Sequence, residues 1–280
     1  MTAPRDCGQG RLAIRFSDLD VAGHVNNVAW LRFVHIGVSR ALASRPPPHR
    51  ANQAGAERGP GEIAWRCADI RYRRAIQAVG TPITVRANPV EQTDGVLVVA
   101  CEVGAVEPDG RVIDCVTAEI FLGPPAMTAL EPDASSAHRG PKPAPPVPTD
   151  RWPWSMVVPV RATDRTDSGS LSPTAAADLL QEARHDALSS WRHGLRGRLV
   201  VARTVFGLSQ ATVWEEIRLD SRCSRVGRAS VDLASCGVDP ASGAVVVRST
   251  TRIARLMTGT DPSATPWSDA ERALLRDICG

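Results

Sequence analysis

The sequence predicts an α+β protein that consists of two copies of one unit, each with five strands and one helix. Three observations carry this prediction. Each half shows a short strand pattern, then one helical pattern, then four strand patterns. Residues 14–23 align with residues 160–169 at a constant offset of 146, which indicates a tandem repeat. Residues 124–153 contain nine of the 22 prolines, so they are expected to form a linker without packed elements.

In the first half, an apolar run over residues 12–16 ends in a polar loop that leads directly into a helix. The helix is indicated by an apolar stripe that recurs every three or four positions, at Leu31, Val34, Val38, Ala41 and Leu42. Residues 44–61 are rich in proline and glycine and predict a long loop. Strands are then predicted over residues 63–72, 81–89, 95–106 and 111–122.

The second half repeats this order. A helix is predicted over about residues 173–193, because an apolar stripe follows Pro173, which suits a first helical turn. Strands are predicted over residues 199–208, 213–219, 225–235 and 244–254. Ser268 and Glu271 have capping-box spacing, which predicts a final helix to about residue 278. The predicted domains are a first unit (1–123), a linker (124–154), a second unit (155–257) and a tail (258–280).

The composition is that of an ordinary globular protein, with 43% hydrophobic and 22% charged residues in a 280-residue chain. A net charge of +3 without a block of lysine or arginine argues against a nucleic-acid partner. No run approaches about 18 apolar residues and no signal-peptide core is visible, so we expect a cytoplasmic protein without a membrane partner. The seven cysteines are scattered without a C-x-x-C pair, which predicts reduced thiols and no zinc site.

The polar loop before the first helix holds groups that can carry acid–base chemistry. Asp20 and His24 could act as base, nucleophile or orienting group. The helix that follows presents unpaired N–H groups, which face any developing negative charge. A strand, a carboxylate and a helix N-terminus together form a plausible layout for acyl transfer.

The run over residues 15–30 resembles the opening of hotdog-fold thioesterases of the 4-hydroxybenzoyl-CoA thioesterase and plant acyl-ACP thioesterase type. Those proteins read roughly W-S-D-x-D-x-x-x-H-V-N-N-x-x-Y before their central helix. The matching positions are Ser17, Asp18, Asp20, His24, Val25, Asn26 and Asn27, with Trp30 in the aromatic position. The resemblance implies a tandem (double) hotdog, in which an antiparallel sheet wraps a central helix in each unit and the two units pair within one chain.

The resemblance also implies catalytic roles. Asp20 falls on the family's catalytic aspartate, and His24 falls on the histidine of the plant enzymes, whose intervening asparagine is Ala22 here. Asp69 matches a strand position where family members usually carry an acid, which is implicated in catalysis in the plant-type enzymes. An ion pair with nearby arginines is the alternative role for Asp69.

Two further groups are predicted to contact substrate. Arg71, Arg73 and Arg74 lie at the end of one predicted strand and directly after it, and could bind the phosphates of CoA or of a phosphopantetheine arm, or could form a solvated face. Around the loop, backbone N–H groups near Gly23 to Val25 are expected to polarise the thioester carbonyl. The remaining predicted contacts are Asn26, Asn27 and Trp30, of which the two asparagines also suit helix capping.

The second copy lacks these groups. Asp20, His24, Asn26 and Asn27 of the first copy correspond, in that order, to Thr166, Ser170, Ser172 and Pro173. Glu182 falls where relatives carry a helix acid, and whether it contributes to the first site stays open. The simplest interpretation is one working site per chain, with the second copy kept as a structural and binding partner.

The sequence therefore predicts a thioesterase that hydrolyses an acyl-CoA or acyl-carrier-protein substrate without a metal or redox cofactor, with a homodimer as a possible assembly. Asp20 would act as general base or as nucleophile. Two alternatives stay open. One is a hotdog hydratase or dehydratase, although His24 follows Asp20 by four residues where that family's motif has five. The other is a non-catalytic protein that binds acyl thioesters.

Overall fold

The chain forms two compact units in the computed structural model. The first unit contains Met1–Arg66 and Arg73–Ala126, and the second contains Cys67–Tyr72 and Met127–Gly280. The segment Cys67–Tyr72 thus groups with the second unit, although it lies within the predicted first domain. The structure describes residues 12–20, 24–44, 64–93, 96–123, 152–191, 194–209, 213, 215–256 and 264–279. Most of the predicted loop at 44–61 and most of the predicted linker at 124–154 lie outside these ranges.

The first unit is an antiparallel sheet packed against one long helix. Its elements are β1 (Leu12–Ala13), α1 (Asn27–Ala43), the start of β2 (Ala64–Tyr72), β3 (Pro82–Thr93), β4 (Val96–Val106) and β5 (Val112–Gly123). The strands are hydrogen-bonded in the order β1-β3-β4-β5. The predicted order of one strand, one helix and four strands is confirmed, although the first strand is only two residues long.

Helix α1 lies with its apolar side on β3, β4 and β5. Most of the predicted stripe is buried, with Leu31, Val34 and Val38 at 1% exposure or less, and Leu42 at its end is half-buried. Gly37 makes the close approach to the sheet possible, because a Cβ at this position would overlap Cγ1 of Val85 on β3. The helix therefore sits directly on the sheet, and its N-terminus is fixed beside the polar loop.

The second unit repeats the arrangement. Its elements are β6 (Trp154–Pro159), α2 (Pro173–Trp191), β7 (Arg198–Leu208), β8 (Glu216–Val226), β9 (Ser230–Val238), β10 (Val245–Leu256) and α3 (Asp269–Cys279). Together with residues 67–72 of β2, its strands are ordered β2-β7-β10-β9-β8-β6. All described pairs are antiparallel, and α2 packs on β6, β8 and β9.

The tandem repeat is visible in the positions of the helices and of the turns before them. Helices α1 and α2 begin at residues 27 and 173, the same offset of 146 seen in the sequence. A 3₁₀ turn precedes each helix, at Phe16–Asp18 and at Ala162–Asp164.

In the second unit, α3 begins with the predicted capping box, in which Ser268 donates from N–H and Oγ to Oε2 of Glu271 at 2.8 and 2.7 Å.

Strands β8 and β9 lie several residues later than predicted. The prediction placed them at 213–219 and 225–235, which left the polar residues near position 220 outside both strands. Instead, these polar residues are buried within β8 and paired: Ser155 donates to Asp220 at 2.7 Å, and the hydroxyls of Ser221 and Ser235 lie 2.9 Å apart. Such partners from distant strands make a polar stretch compatible with a sheet interior.

Four of the described cysteines are reduced, as predicted, and Cys223 is not. Cys67, Cys101, Cys115 and Cys236 are free thiols, and burial raises the pKa of Cys101 to about 12. Cys223, in contrast, is disulfide-bonded, so the expectation that all seven cysteines are reduced is wrong. Among the described helices, none combines the length and the apolar character needed to cross a membrane.

Candidate active site

Main-chain hydrogen bonds join the two sides of the loop between β1 and α1 at its base. The N–H of Asp20 donates to the carbonyl of His24 at 2.7 Å, and the N–H of Asn26 donates to the carbonyl of Asp18 at 2.9 Å. The predicted residue Gly23 lies outside the described part of the chain. These bonds hold Asp20 and His24 on opposite sides of the loop's base, immediately before the helix.

Asp18 anchors the loop through both of its carboxylate oxygens. Its side chain is buried, and Oδ2 accepts from the N–H of Arg15 at 2.8 Å. Oδ1 accepts from Nη2 of Arg32 on α1, also at 2.8 Å. Since both oxygens are engaged, Asp18 ties the loop to the helix and has a structural role. The equivalent N–H to carboxylate bond joins Arg161 and Asp164 in the second unit.

Asp20 and His24 place an exposed carboxylate beside a buried imidazole. Oδ1 of Asp20 accepts from the N–H of His24 at 3.0 Å, and Nδ1 of the His24 ring lies 3.7 Å from the same oxygen. The Asp20 side chain is 42% exposed, whereas that of His24 is 8% exposed. The carboxylate is therefore accessible to water while one of its oxygens is oriented by the loop.

Gln77 is a site residue that the sequence analysis missed. Its side-chain nitrogen Nε2 contacts Nε2 of His24, although the two residues are 53 positions apart. An amide nitrogen can only donate, so the ring nitrogen accepts, and the proton of neutral His24 lies on Nδ1, which faces Asp20. Gln77 lies in a segment without regular structure after β2, and no local pattern in the sequence marks it.

The predicted carbonyl-polarising N–H groups are already used within the protein. The N–H of Val25 donates to the carbonyl of Ile76 at 2.9 Å, and that of His24 donates to Asp20. These two N–H groups therefore already have acceptors within the protein. The N–H groups of Asn27 and Val28, the first two of α1, have no acceptor in the described part of the chain. The donors available to a ligand thus lie further along, at the start of the helix.

Three of the predicted substrate contacts have structural roles at this helix start. Asn26 is the N-cap, and its Oδ1 accepts from the N–H of Ala29 at 2.7 Å. Asn27 is the first residue of α1 and is half-buried. Trp30 is 2% exposed and packs edge-on against Phe33, with 5.9 Å between the ring centroids. Its ring therefore belongs to the apolar core under the helix.

Asp69 belongs to the second unit, and its contacts match the ion-pair role. Its carboxylate accepts from Nε and Nη2 of Arg203 at 2.8 and 2.6 Å, and Arg71 lies 3.4 Å away. Neighbouring Ala68 and Ile70 are fully buried. Because side chains alternate along a strand, Asp69 lies on the opposite face of the sheet from them. The bidentate bond with Arg203 accounts for its burial.

The three predicted phosphate-binding arginines are divided between the units. Arg71 is exposed at the end of β2 in the second unit. Arg73 and Arg74 are exposed in the first unit, where Nε of Arg73 lies 3.4 Å from Oγ1 of Thr117. Their exposure leaves both guanidinium groups open to solvent, as expected for either a solvated face or a phosphate contact.

The second copy keeps the backbone of the loop and replaces its chemistry. The N–H of Thr166 donates to the carbonyl of Ser170 at 2.8 Å, as Asp20 does to His24. The side chains of Thr166, Ser168 and Ser170 form a network of hydroxyl contacts at 2.8 to 3.2 Å. Glu182 is exposed on α2. The second loop therefore contains hydroxyls where the first contains a carboxylate and an imidazole.

No metal centre is indicated within the ranges that the structure describes, since they contain no group of three or more His, Cys, Asp or Glu side chains placed to hold an ion.

Comparison with known proteins places the chain by its fold. No protein-family model and no curated protein matches the sequence. A Lactobacillus plantarum protein assigned as an oleoyl thioesterase matches with a TM-score of 0.61 and 10% identity, over 89% of this chain and 96% of that chain. The 12:0-ACP thioesterase from Umbellularia californica matches with a TM-score of 0.58 and 10% identity, over 91% of this chain and 93% of that chain.

A third similar solved structure is described by its fold. It is a hot dog fold protein of unknown function from Alicyclobacillus acidocaldarius, with a TM-score of 0.50 and 13% identity, over 89% of this chain and 93% of that chain. At these identities the likeness shows the fold. The chain is a double hotdog, as the sequence predicted.

Proposed function

We propose that the chain hydrolyses an acyl thioester of coenzyme A or of an acyl carrier protein, with one working site in the loop before α1. The observation that carries the proposal is the exposed carboxylate of Asp20, oriented by the N–H of His24 at the start of a helix. The names of two structural neighbours, an oleoyl thioesterase and a 12:0-ACP thioesterase, support this reaction class. The cytoplasmic location and the homodimer stay predictions.

In the proposed mechanism Asp20 acts as general base. It takes a proton from a water molecule as the water oxygen adds to the carbonyl carbon of the thioester. The tetrahedral intermediate then collapses and the carbon–sulfur bond breaks. Asp20 gives its proton to the departing thiolate. The products are the free acid and the thiol. His24 orients Asp20, because its N–H holds Oδ1 and its Nδ1 proton faces the same oxygen at 3.7 Å.

The N–H groups of Asn27 and Val28 are the proposed donors to the carbonyl oxygen. They lie at the helix start, where the macrodipole also favours negative charge. A donor of this kind contributes about 3 kcal/mol to the transition state. Asp69 has no part in the proposed reaction, because Arg203 holds both of its oxygens.

The test is thiol release from a panel of acyl-CoA and acyl-carrier-protein substrates by wild-type protein and by Asp20→Asn. The amide keeps the size of the side chain but cannot accept the proton, so kcat should fall about 100-fold or more. Asp167→Asn is the matched control, since Asp167 is an exposed aspartate of the second loop, and it should keep normal turnover.

Three outcomes would contradict the proposal. Near-normal turnover by Asp20→Asn would remove the assigned base. Hydration of an enoyl-CoA without thiol release would identify a hydratase. Tight binding of acyl thioesters with no turnover in any member of the panel would identify a binding protein.

A further inference from the structure

Five neighbouring strands of the second unit place four arginines in one row. Arg71 on β2 is the register partner of Arg203 on β7, which is the partner of Arg252 on β10. Arg252 is also paired with Asp232 on β9, and Asp232 with Arg225 on β8. Neighbouring strands lie about 4.8 Å apart, so the four arginines, here called the arginine row, span about 19 Å across the sheet.

The arginine row lies on the face of the sheet that points away from α2. Leu233, which follows Asp232, packs with Trp191 of α2 in the apolar core. Because side chains alternate along a strand, Asp232 and the arginines at its level are on the opposite face. The three arginine side chains of the row on β2, β7 and β10 are 36% to 53% exposed, and the one on β8 is exposed as well. The row is therefore accessible to a partner.

This face carries a surplus of positive charge. Within the row and the next two levels of the same face, six arginines stand against three aspartates. The added arginines are Arg222 and Arg248, and the aspartates are Asp69, Asp220 and Asp232. The surplus of three charges equals the net charge of the whole chain, +3, so the rest of the molecule is neutral on balance. Such a concentration of one sign of charge attracts an oppositely charged surface.

Two of the aspartates fix the orientation of the central arginines. Asp69 accepts from Nε and Nη2 of Arg203 at 2.8 and 2.6 Å, and Asp232 accepts from the same two atoms of Arg252, both at 2.8 Å. A guanidinium has five N–H groups, so these bonds use two on each arginine and leave three. Since both side chains are already oriented, less entropy is lost when a partner binds.

The order of charges along the row is not the order that stabilises a sheet. Arg203 lies between Arg71 and Arg252 in the strand register, and like charges directly opposite each other are destabilising. Carboxylates of a partner, placed over the row, would offset this repulsion. The row is therefore better suited to binding an anionic surface than to holding the strands together.

We propose that the arginine row is a docking surface for an acidic helix of a partner protein, which lies across the strands. Carboxylates three or four residues apart on one side of a helix are about 5 to 6 Å apart, close to the spacing of the strands. At 1.5 Å per residue, about 13 residues of helix cover the row. Val205, Thr250 and Ala234 occupy the next level on the three central strands, and their short side chains leave room for the body of the helix.

The aspartates among the arginines favour an acidic helix over nucleic acid or an anionic membrane. Asp232 lies within the row, and Asp69 lies at the next level. A phosphate backbone or a lipid surface presents continuous negative charge, which these carboxylates repel. A helix can place a neutral side chain opposite each of them. The surface does not depend on the proposed catalytic role of Asp20.

The probe is a synthetic helical peptide of about 15 residues, with four glutamates in one stripe on an alanine-rich background. One control peptide has the same composition with the glutamates distributed around the helix, and a second has lysine in place of glutamate. Binding to the full chain is measured by fluorescence anisotropy. The striped peptide should bind at least about fivefold more tightly than the distributed one, and the lysine peptide should not bind. Raising the salt from about 50 to about 200 mM should weaken binding severalfold.

Variants at the two ends of the row test its position. Arg71→Gln and Arg225→Gln each remove one charge without breaking a bidentate pair, and each should weaken binding of the striped peptide about threefold. Together they should weaken it about tenfold. Arg276→Gln, at an exposed arginine of α3, is the matched control and should bind as wild type does. Asp20→Asn should also bind normally, which separates this surface from the catalytic loop.

Three results would overturn the proposal. Equal binding of the striped and the distributed peptide would show that the row is not read by a helix, and this comparison uses wild-type protein whatever the variants do to the fold. Unchanged affinity in the folded double variant, checked by thermal unfolding, would place the peptide elsewhere. Tighter binding of duplex DNA or of phosphatidylserine vesicles than of the striped peptide would show a general polyanion surface instead of a protein-docking one.

Discussion

Replacing Gln77 tests whether the contact with His24 positions the catalytic loop. Gln77→Leu keeps the approximate size of the side chain and removes the donor to Nε2 of His24. The buried ring then loses one hydrogen bond, a loss of about 1 to 1.5 kcal/mol, and its proton is no longer confined to Nδ1. If the lost hydrogen-bond free energy raises the activation free energy by the same amount, kcat falls about tenfold while KM changes little.

Gln77→Glu makes the test sharper, because a carboxylate accepts where the amide donates. The ring proton of His24 should move to Nε2, away from Asp20, and kcat should fall further than in Gln77→Leu. The assay is thiol release, with the histidine tautomer followed by nitrogen-15 NMR. Asn88→Leu, at an exposed amide of β3, is the control and should be neutral. Wild-type kcat in both Gln77 variants would refute the positioning role.

Three further predictions concern other parts of the chain. The first replaces the hydroxyl side chains of the second loop together, by Thr166→Ala, Ser170→Ala and Ser172→Ala. This triple variant should keep kcat within about threefold of wild type. Loss of activity would show that the second copy also takes part in catalysis. Gly37→Ala should lower the free energy of unfolding by about 1 to 2 kcal/mol in urea, because the added Cβ overlaps the stiff side chain of Val85 by more than its helix propensity recovers, and an unchanged midpoint would contradict the close packing. Burial alone would raise the pKa of the Glu271 carboxyl, but hydrogen bonds from Ser268 and from the N–H of Arg196, together with the charge of Arg255, lower it from 4.5 to about 2. Glu271 therefore stabilises the fold by about 3 kcal/mol above pH 4.5, and this contribution is lost as the pH falls from about 4.5 to 2. Glu271→Gln should flatten that part of the stability profile measured by denaturant titration, and a profile identical to wild type would refute the assignment.

Two aspartates of the second unit's sheet pair with arginines, whereas Asp20 lies on a loop. Asp69 is paired with Arg203, and on the same face Asp232 is paired with Arg252 at 2.8 Å through both oxygens. Such bidentate pairs between neighbouring strands stabilise the outer face of the second unit and occupy the carboxylates. Asp20 lies on a loop instead of a strand, and its carboxylate is 42% exposed.

The sequence by itself determined the repeated unit and the starts of the helices. The offset of 146, the cap at Asn26 and the capping box at Ser268 depend on bonds within about four residues, and such bonds follow from local residue order. The acid–base pair of Asp20 and His24 was also visible, because the two residues share one short loop.

The tertiary structure decided which side chains meet across long separations. Gln77 reaches His24 over 53 positions and Arg203 reaches Asp69 over 134, and neither pair has a local signature. The same holds for the buried serine and aspartate of β8, whose partners Ser155 and Ser235 lie on other strands. These contacts depend on strand register, and register is set by the packing of the whole sheet against its helix.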